Sequence, residues 1–119
     1  METEEIARQL VAICRKGDFE AAQKQLFDED AVSVEPHASA DFQKETKGLA
    51  AILEKAKKWD EMVKEVHHID VSDAVIADNS FACSMRMHVT MKEGGEMDIK
   101  ELCVYKVKDG KIVSEEFFM

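Results

Sequence analysis

Between Ser80 and Tyr105 the chain reads SFACSMRMHVTMKEGGEMDIKELCVY, and this stretch holds four side chains able to do chemistry: Arg86, His88, Glu101 and Tyr105. An imidazole beside a carboxylate has its protonated form favoured and exchanges protons near neutral pH, as enolisation, aldol closure and dehydration all require. His88 with Glu101 is therefore the first candidate pair for acid/base catalysis; the plain alternative is a satisfied ion pair. Arg86 either holds an anionic ligand group or neutralises Glu116 across a sheet, and Tyr105 can donate a hydrogen bond. His67 and His68 are adjacent, so on a strand they point opposite ways, and His67 is the one that joins the group. His67, His88 and Glu101 would make a two-histidine, one-carboxylate metal set, although no motif spacing supports it. Trp59, with Phe27 and Phe42, is placed at the rim of any cavity, where an aromatic ring either packs or grips a planar ligand. Glu35, before Pro36, belongs to the same rim or to the solvated surface.

These residues need elements to hold them. From Phe81 to Met91 apolar residues alternate with others, so Phe81, Cys83, Met85, Met87, Val89 and Met91 share one side of a strand. Earlier, Ile6, Leu10 and Ile13 form a helical stripe that Gly17 stops, with Thr3 giving a partial capping signal. Asp18 then caps a second helix, DFEAAQKQL, and Ala31 to Glu35 reads as a short strand closed by Pro36. Residues 37 to 46 read as a loop, and a third helix runs from about Gly48 to Trp59. VKEVHHIDVSDAVIA, SFACSMRMHVTMK, EMDIKELCVYKVK and KIVSEEFFM follow as four strands joined by DN, EGG and DG turns. Helices set apart from a run of antiparallel strands give the α+β class in one domain spanning residues 1–119.

If each turn has two central residues, the register follows on paper. Glu101 then lies opposite His88, Cys103 opposite Arg86 and Glu116, and Tyr105 opposite Ser84 and Ser114; Ile69 lies beside His88 and Val71 beside Arg86. One face collects His67, Arg86, His88, Glu101, Tyr105, Glu116 and Phe118 into a hollow facing the helices. The other carries Cys83, Met85, Met87, Val89, Leu102, Val104 and Phe117, and a second copy of the chain is the simplest cover for it. A homodimer through the outer sheet face is expected on that ground. A bulge in any strand would flip part of either set.

The formal net charge of −9 excludes nucleic acid and anionic membrane surfaces as partners, since both select basic patches. No run approaches the ~18 apolar residues of a membrane span, and the acidic, amphipathic N-terminus is unlike a secretory signal, so a cytoplasmic protein is expected. Cys14, Cys83 and Cys103 lack metal-binding spacing and read as small buried hydrophobes.

DEDAVSVEP after two helices, GLAAILEKAKKW as the third, then NSFACSMRMHVT and the ending YKVKDGKIVSEEFF resemble the SnoaL-like branch of the nuclear transport factor 2-like superfamily over nearly the whole chain. The resemblance implies a cone-shaped half-barrel of the cystatin-like type, with three N-terminal helices packed in a curved, mainly antiparallel sheet. It also implies a dimer through the outer face, a pocket for a small hydrophobic or cyclic ligand, and no metal or cofactor. Its activities would be those of a cofactor-free isomerase, cyclase or dehydratase acting on a cyclic or carbonyl compound. Glu101 matches a pocket acid of that pattern, whereas His88 stands where the pattern carries a carboxylate. That departure favours the alternative, a non-catalytic ligand carrier or dimerisation module.

Overall fold

Two helices open the chain, and the residues between them explain why there are two. In the computed structural model, which describes all 119 residues, α1 spans Thr3–Arg15 and α2 spans Phe19–Leu26. Thr3 lies inside α1 rather than capping it; Glu2 is the N-cap and makes no side-chain cap bond. Gly17 sits at φ +78°, a left-handed conformation that ends α1, and Asp18 accepts a 3.1 Å bond from the Ala21 N–H to start α2. A Cβ at Gly17 would lie 3.2 Å from Ile69 Cδ1. Gly17→Ala is expected to cost about 1–2 kcal/mol through the left-handed backbone alone. A urea midpoint unchanged from the parent would contradict this.

β1 (Phe27–Val34) follows without a gap, then the short β2 (Glu45–Lys47), which claims the end of the segment read as loop. α3 spans Leu49–Met62, about a turn longer than the sequence reading. The remaining strands are β3 (Val63–Val71), β4 (Val75–Ala77), β5 (Ser80–Met91), β6 (Glu96–Lys108) and β7 (Lys111–Phe118). They form one curved, open sheet in the order β2-β1-β7-β6-β5-β3, with β4 beside β5 as well. All pairs are antiparallel except β1 with β7. No helix is long and apolar enough to cross a membrane.

The register departs from the two-residue-turn arithmetic at all three hairpins, each time by an odd number of residues. Asp78-Asn79 does make the tight turn, pairing Ala77 with Ser80, but the break at Ser72–Ala74 shifts β3 so that Val71 meets Met85 and Ile69 meets Met87. Thr90 pairs with Glu96 and Lys92 to Gly95 form a four-residue connection, so Glu101 faces Met85, not His88. Asp109-Gly110 also turns tightly, pairing Lys108 with Lys111, after which a bulge around Val113 sets Tyr105 against Glu115 and Cys103 against Phe117. Because side chains alternate, each odd slip exchanges inside for outside.

The methionine side of β5 is consequently the inner one. Phe81, Cys83, Met85, Met87, Val89 and Met91 are all buried, with Ile6, Leu10, Leu26 and Ile52 of the helices packed into the same core region. This corrects the expectation that Met85 and Met87 lie on an outer face awaiting a second subunit. Leu102 and Phe118 pair across β6 and β7 and are half-exposed, as are Val66, Ile76 and Met97 elsewhere on the sheet.

Candidate functional site

A cavity of about 870 Å³ lies between the inner sheet face and the helices. Phe19 and Ala22 from α2, Trp59 and Met62 from α3, Met85, Met87 and Met91 from β5, and Phe117 from β7 give it apolar walls. Trp59 lines it as the sequence suggested. The loop between β1 and β2 contributes Pro36, His37, Ser39, Asp41 and Phe42. That loop is held by Lys58 Nζ, which donates to the Asp41 carbonyl at 2.5 Å and lies 5.2 Å from the centre of the Phe42 ring.

Three adjacent strands set a polar cluster into this apolar surround. On β1 the residues Ala31 and Ser33 alternate inward, with Glu35 just past its end on the same side, and Ser33 pairs with Glu115 of β7. Next comes β6, on which Glu101, Cys103 and Tyr105 take successive inward positions. Lys55 reaches across from α3: its Nζ donates to Ser33 Oγ at 2.6 Å, and Ser33 in turn donates to Glu115 Oε2 at 2.7 Å. Glu35 Oε2 lies 3.7 Å from the same ammonium. The chain Lys55–Ser33–Glu115 thus satisfies a carboxyl group that is otherwise shut away from water.

Glu101 has no such support. Its one protein contact of hydrogen-bonding type is the Cys103 thiol, 3.9 Å from Oε1. Burial, with the negative charges of Glu35 and Glu115, pushes its carboxyl up to about 7 from the ordinary 4.5, and Lys55 and the thiol only partly oppose this. The Glu115 carboxyl is also raised, by burial first, while Ser33 and Lys55 pull it down. Burial lifts the Tyr105 phenol well above its usual range, so it stays protonated; its ring stacks on Phe81 with centroids 4.8 Å apart. Four residues of extended strand separate Tyr105 from Glu101, roughly 13 Å. Tyr105 therefore lines a different part of the inner face and does not act on the same bond. The three cysteines are buried and free, and burial raises Cys14 to about 12.

Of the residues anticipated from sequence, Glu101, Tyr105 and Trp59 line the cavity; Arg86, His88, His67 and Glu116 do not. The expected pairing of His88 with Glu101 is not made, because the four-residue connection puts them on opposite faces. On the outer face Arg86 grips Asp98 with two bonds, 3.2 Å from Nε and 2.9 Å from Nη2, and holds that carboxyl below its usual range. His88 Nε2 lies 3.7 Å from Glu96 Oε2. His67, expected inside, is turned outward by the irregularity between Val66 and His68; its Nε2 is 2.6 Å from Thr90 Oγ1 and its ring 4.9 Å from that of His88. Arg86 does not neutralise Glu116, since Asp98 takes that place. No set of three histidine, cysteine or carboxylate side chains is arranged to hold a metal ion.

Sequence reasoning missed Glu115, Ser33 and Lys55. Lys55 was legible: it lies three residues after Ile52 and four before Trp59, on the apolar face of α3, not in a solvated run. Ser33 was legible by alternation with Ala31. Glu115 was not, since its neighbour is also glutamate.

A family model described as a SnoaL-like domain matches residues 1–119. Among solved structures, a protein of Mesorhizobium loti designated a candidate SnoaL-like polyketide cyclase is similar over 100% of both chains, with TM-score 0.92 and 28% identity. A Xanthomonas campestris protein of cystatin-like fold and unknown function matches 99% of this chain and 90% of its own, at TM-score 0.83 and 20% identity. A Catenulispora acidiphila protein of ketosteroid isomerase-like fold, solved with trimethylamine, matches 97% of this chain and 85% of its own, at TM-score 0.74 and 17% identity. Among curated proteins none matches this sequence.

Proposed function

This chain belongs to the SnoaL-like domain family, and from that premise we propose that it binds a small, largely apolar carbonyl compound between sheet and helices and shifts a proton on it, with Glu101 as the acid/base group. The reaction class is that of an isomerase, cyclase or dehydratase that works without a cofactor. One observation carries the reading: a carboxyl group in a methionine- and aromatic-lined hollow, raised to about 7, beside a second carboxyl that is tied up by Ser33 and Lys55. A group that titrates at the working pH both takes and returns a proton with little free-energy cost, which is the requirement for enolisation. The apolar walls limit competing proton exchange with water.

The test is exchange at carbon. Cyclic ketones incubated with the protein in heavy water should incorporate deuterium next to the carbonyl faster than in buffer, as read by NMR. A panel of ring ketones that all exchange at the buffer rate would sink the proposal. The second reading, a non-catalytic carrier or association module, is favoured by one feature: the only imidazole on the cavity wall is His37, in the loop between β1 and β2.

We also propose a homodimer through the outer sheet face, now centred on Leu102 and Phe118, 45% and 47% exposed and paired across β6 and β7. Leu102→Asp should convert a sedimenting dimer into a folded monomer, since a charge at an apolar interface centre costs several kcal/mol. Identical sedimentation of the two proteins would dismiss this interface.

A further inference from the structure

We propose that the cavity selects a cationic ligand: an apolar, ring-sized amine whose ammonium group is received by Glu101 and by the side-chain oxygen of Gln23. This rests on the reading of the cavity as the ligand site and adds the charge of what enters it.

The charge balance at the polar cluster supports it. Three carboxyl groups, Glu35, Glu101 and Glu115, line the cavity near one ammonium, Lys55. That ammonium is already committed to Ser33 at 2.6 Å and to Glu35 at 3.7 Å. Glu101 is left with a thiol at 3.9 Å, a weak donor, and so lacks a cationic partner. The one other lysine of the lining, Lys100, is exposed and alternates outward beside Arg86, and Asp41 and Asp98 add to the acids, so an arriving anion would meet an excess of carboxyl groups, whereas an ammonium supplies charge and hydrogen-bond donors.

Gln23 is the independent observation. It lies on α2, is 91% buried and lines the same cavity, and its Oε1 is the one buried side-chain oxygen or nitrogen in the protein with no hydrogen-bond partner. An acceptor left unpaired in an apolar surround destabilises the empty protein, so a donor on a ligand recovers that loss. The groups wanting partners are thus a carboxylate and an amide oxygen: both ask for a hydrogen-bond donor, and the carboxylate also for positive charge. The walls agree: Phe19, Trp59 and Phe117 are aromatic, a type that attracts cations, and the methionine thioethers are polarisable.

The experiment uses three probes that share one ring: 2-naphthylmethylamine, 2-naphthylmethanol and 2-naphthoate, titrated calorimetrically into the unmodified protein at pH 7. The amine should bind at least about tenfold more tightly than the alcohol, the difference of roughly one charge-assisted hydrogen bond, and the naphthoate not measurably. Amine binding should also release protons from Glu101, read as a dependence of the heat on buffer ionisation enthalpy. Gln23→Leu and Glu101→Gln, each checked for an intact melting transition, should each weaken the amine by about tenfold, and Glu101→Gln, which keeps an acceptor but loses the charge, should narrow the gap between amine and alcohol to within about twofold. Alcohol or naphthoate binding as tight as the amine overturns the proposal, and so does failure of all three to bind. A protein that prefers the amine yet exchanges no ketone protons retains this ligand class and loses only the proton-transfer reading.

Discussion

Glu101→Gln is expected to abolish proton exchange on bound ketones, by about 10²–10⁴-fold, the usual contribution of a positioned general base. In the parent protein the rate should rise with pH through about 7 and level off above it, because the base must be ionised. Stability should run the other way. Glu101 titrates near 4.5 in the unfolded chain and near 7 in the folded one. Below 4.5 it is neutral in both, and the stability that goes with the neutral carboxyl is fully present. Between 4.5 and 7 the unfolded chain gives up the proton first, and that stability is gone once pH passes 7. The shift corresponds to roughly 3 kcal/mol. Glutamine is neutral throughout, so the variant should gain on its parent as pH rises from 4.5 to 8, by that amount at most. Urea midpoints at pH 4.5, 6 and 8 measure it, and equal pH slopes for the two proteins would show that the carboxyl is not perturbed. The groups that set its titration, Glu35, Glu115, Lys55 and Cys103, are unchanged in the variant, so the difference isolates Glu101.

Lys55→Met should destabilise the protein by about 3 kcal/mol, because it strips the cation from a buried carboxyl and leaves the partner behind. Ser33 alone would then support Glu115, and Glu101 would lose the one positive charge that pulls its carboxyl down. With Lys55 absent both carboxyls shift further upward, so the loss should be larger at pH 8 than at pH 5, where protonation relieves it. Glu115→Gln in the same background removes the stranded charge and should restore more than half of the lost stability. A double variant no better than Lys55→Met would show that the two groups are not coupled. Methionine keeps most of the lysine stem, so lost packing against Phe117, whose ring centre lies 5.8 Å from Nζ, is a small part of the effect.

How much of this was legible in the sequence divides at the turns. Gly17 and Asp18 mark the break between the first helices, and Asp78-Asn79 and Asp109-Gly110 mark two reversals, because these residues are suited to the backbone angles involved. The chain order and the inward set Glu101, Cys103 and Tyr105 follow from them. What residue types do not reveal is the count of residues lost to a bulge. At SEEFF two acids precede two aromatics, so the pattern survives a one-residue slip, and nothing in it prefers Glu115 and Phe117 inside over Glu116 and Phe118. For β5 the simpler signal was right: Cys83, Met85 and Met87 are apolar and inward. Turn arithmetic overrode it because Gly94-Gly95 looks like a tight turn, whereas the connection runs from Lys92 to Gly95. The misplacement of Arg86, His67 and His88 follows from register alone.

The position of β7 between β1 and β6 has a consequence for biosynthesis. The strand that joins the first part of the sheet to the rest is made after all the others. Until residues 111–118 leave the ribosome, β1 and β6 each carry an unpaired edge, the kind of surface on which nascent chains stick to one another. Premature termination before Lys111 would leave β1–β2 and β3–β6 as two sheet fragments bridged by the helices alone.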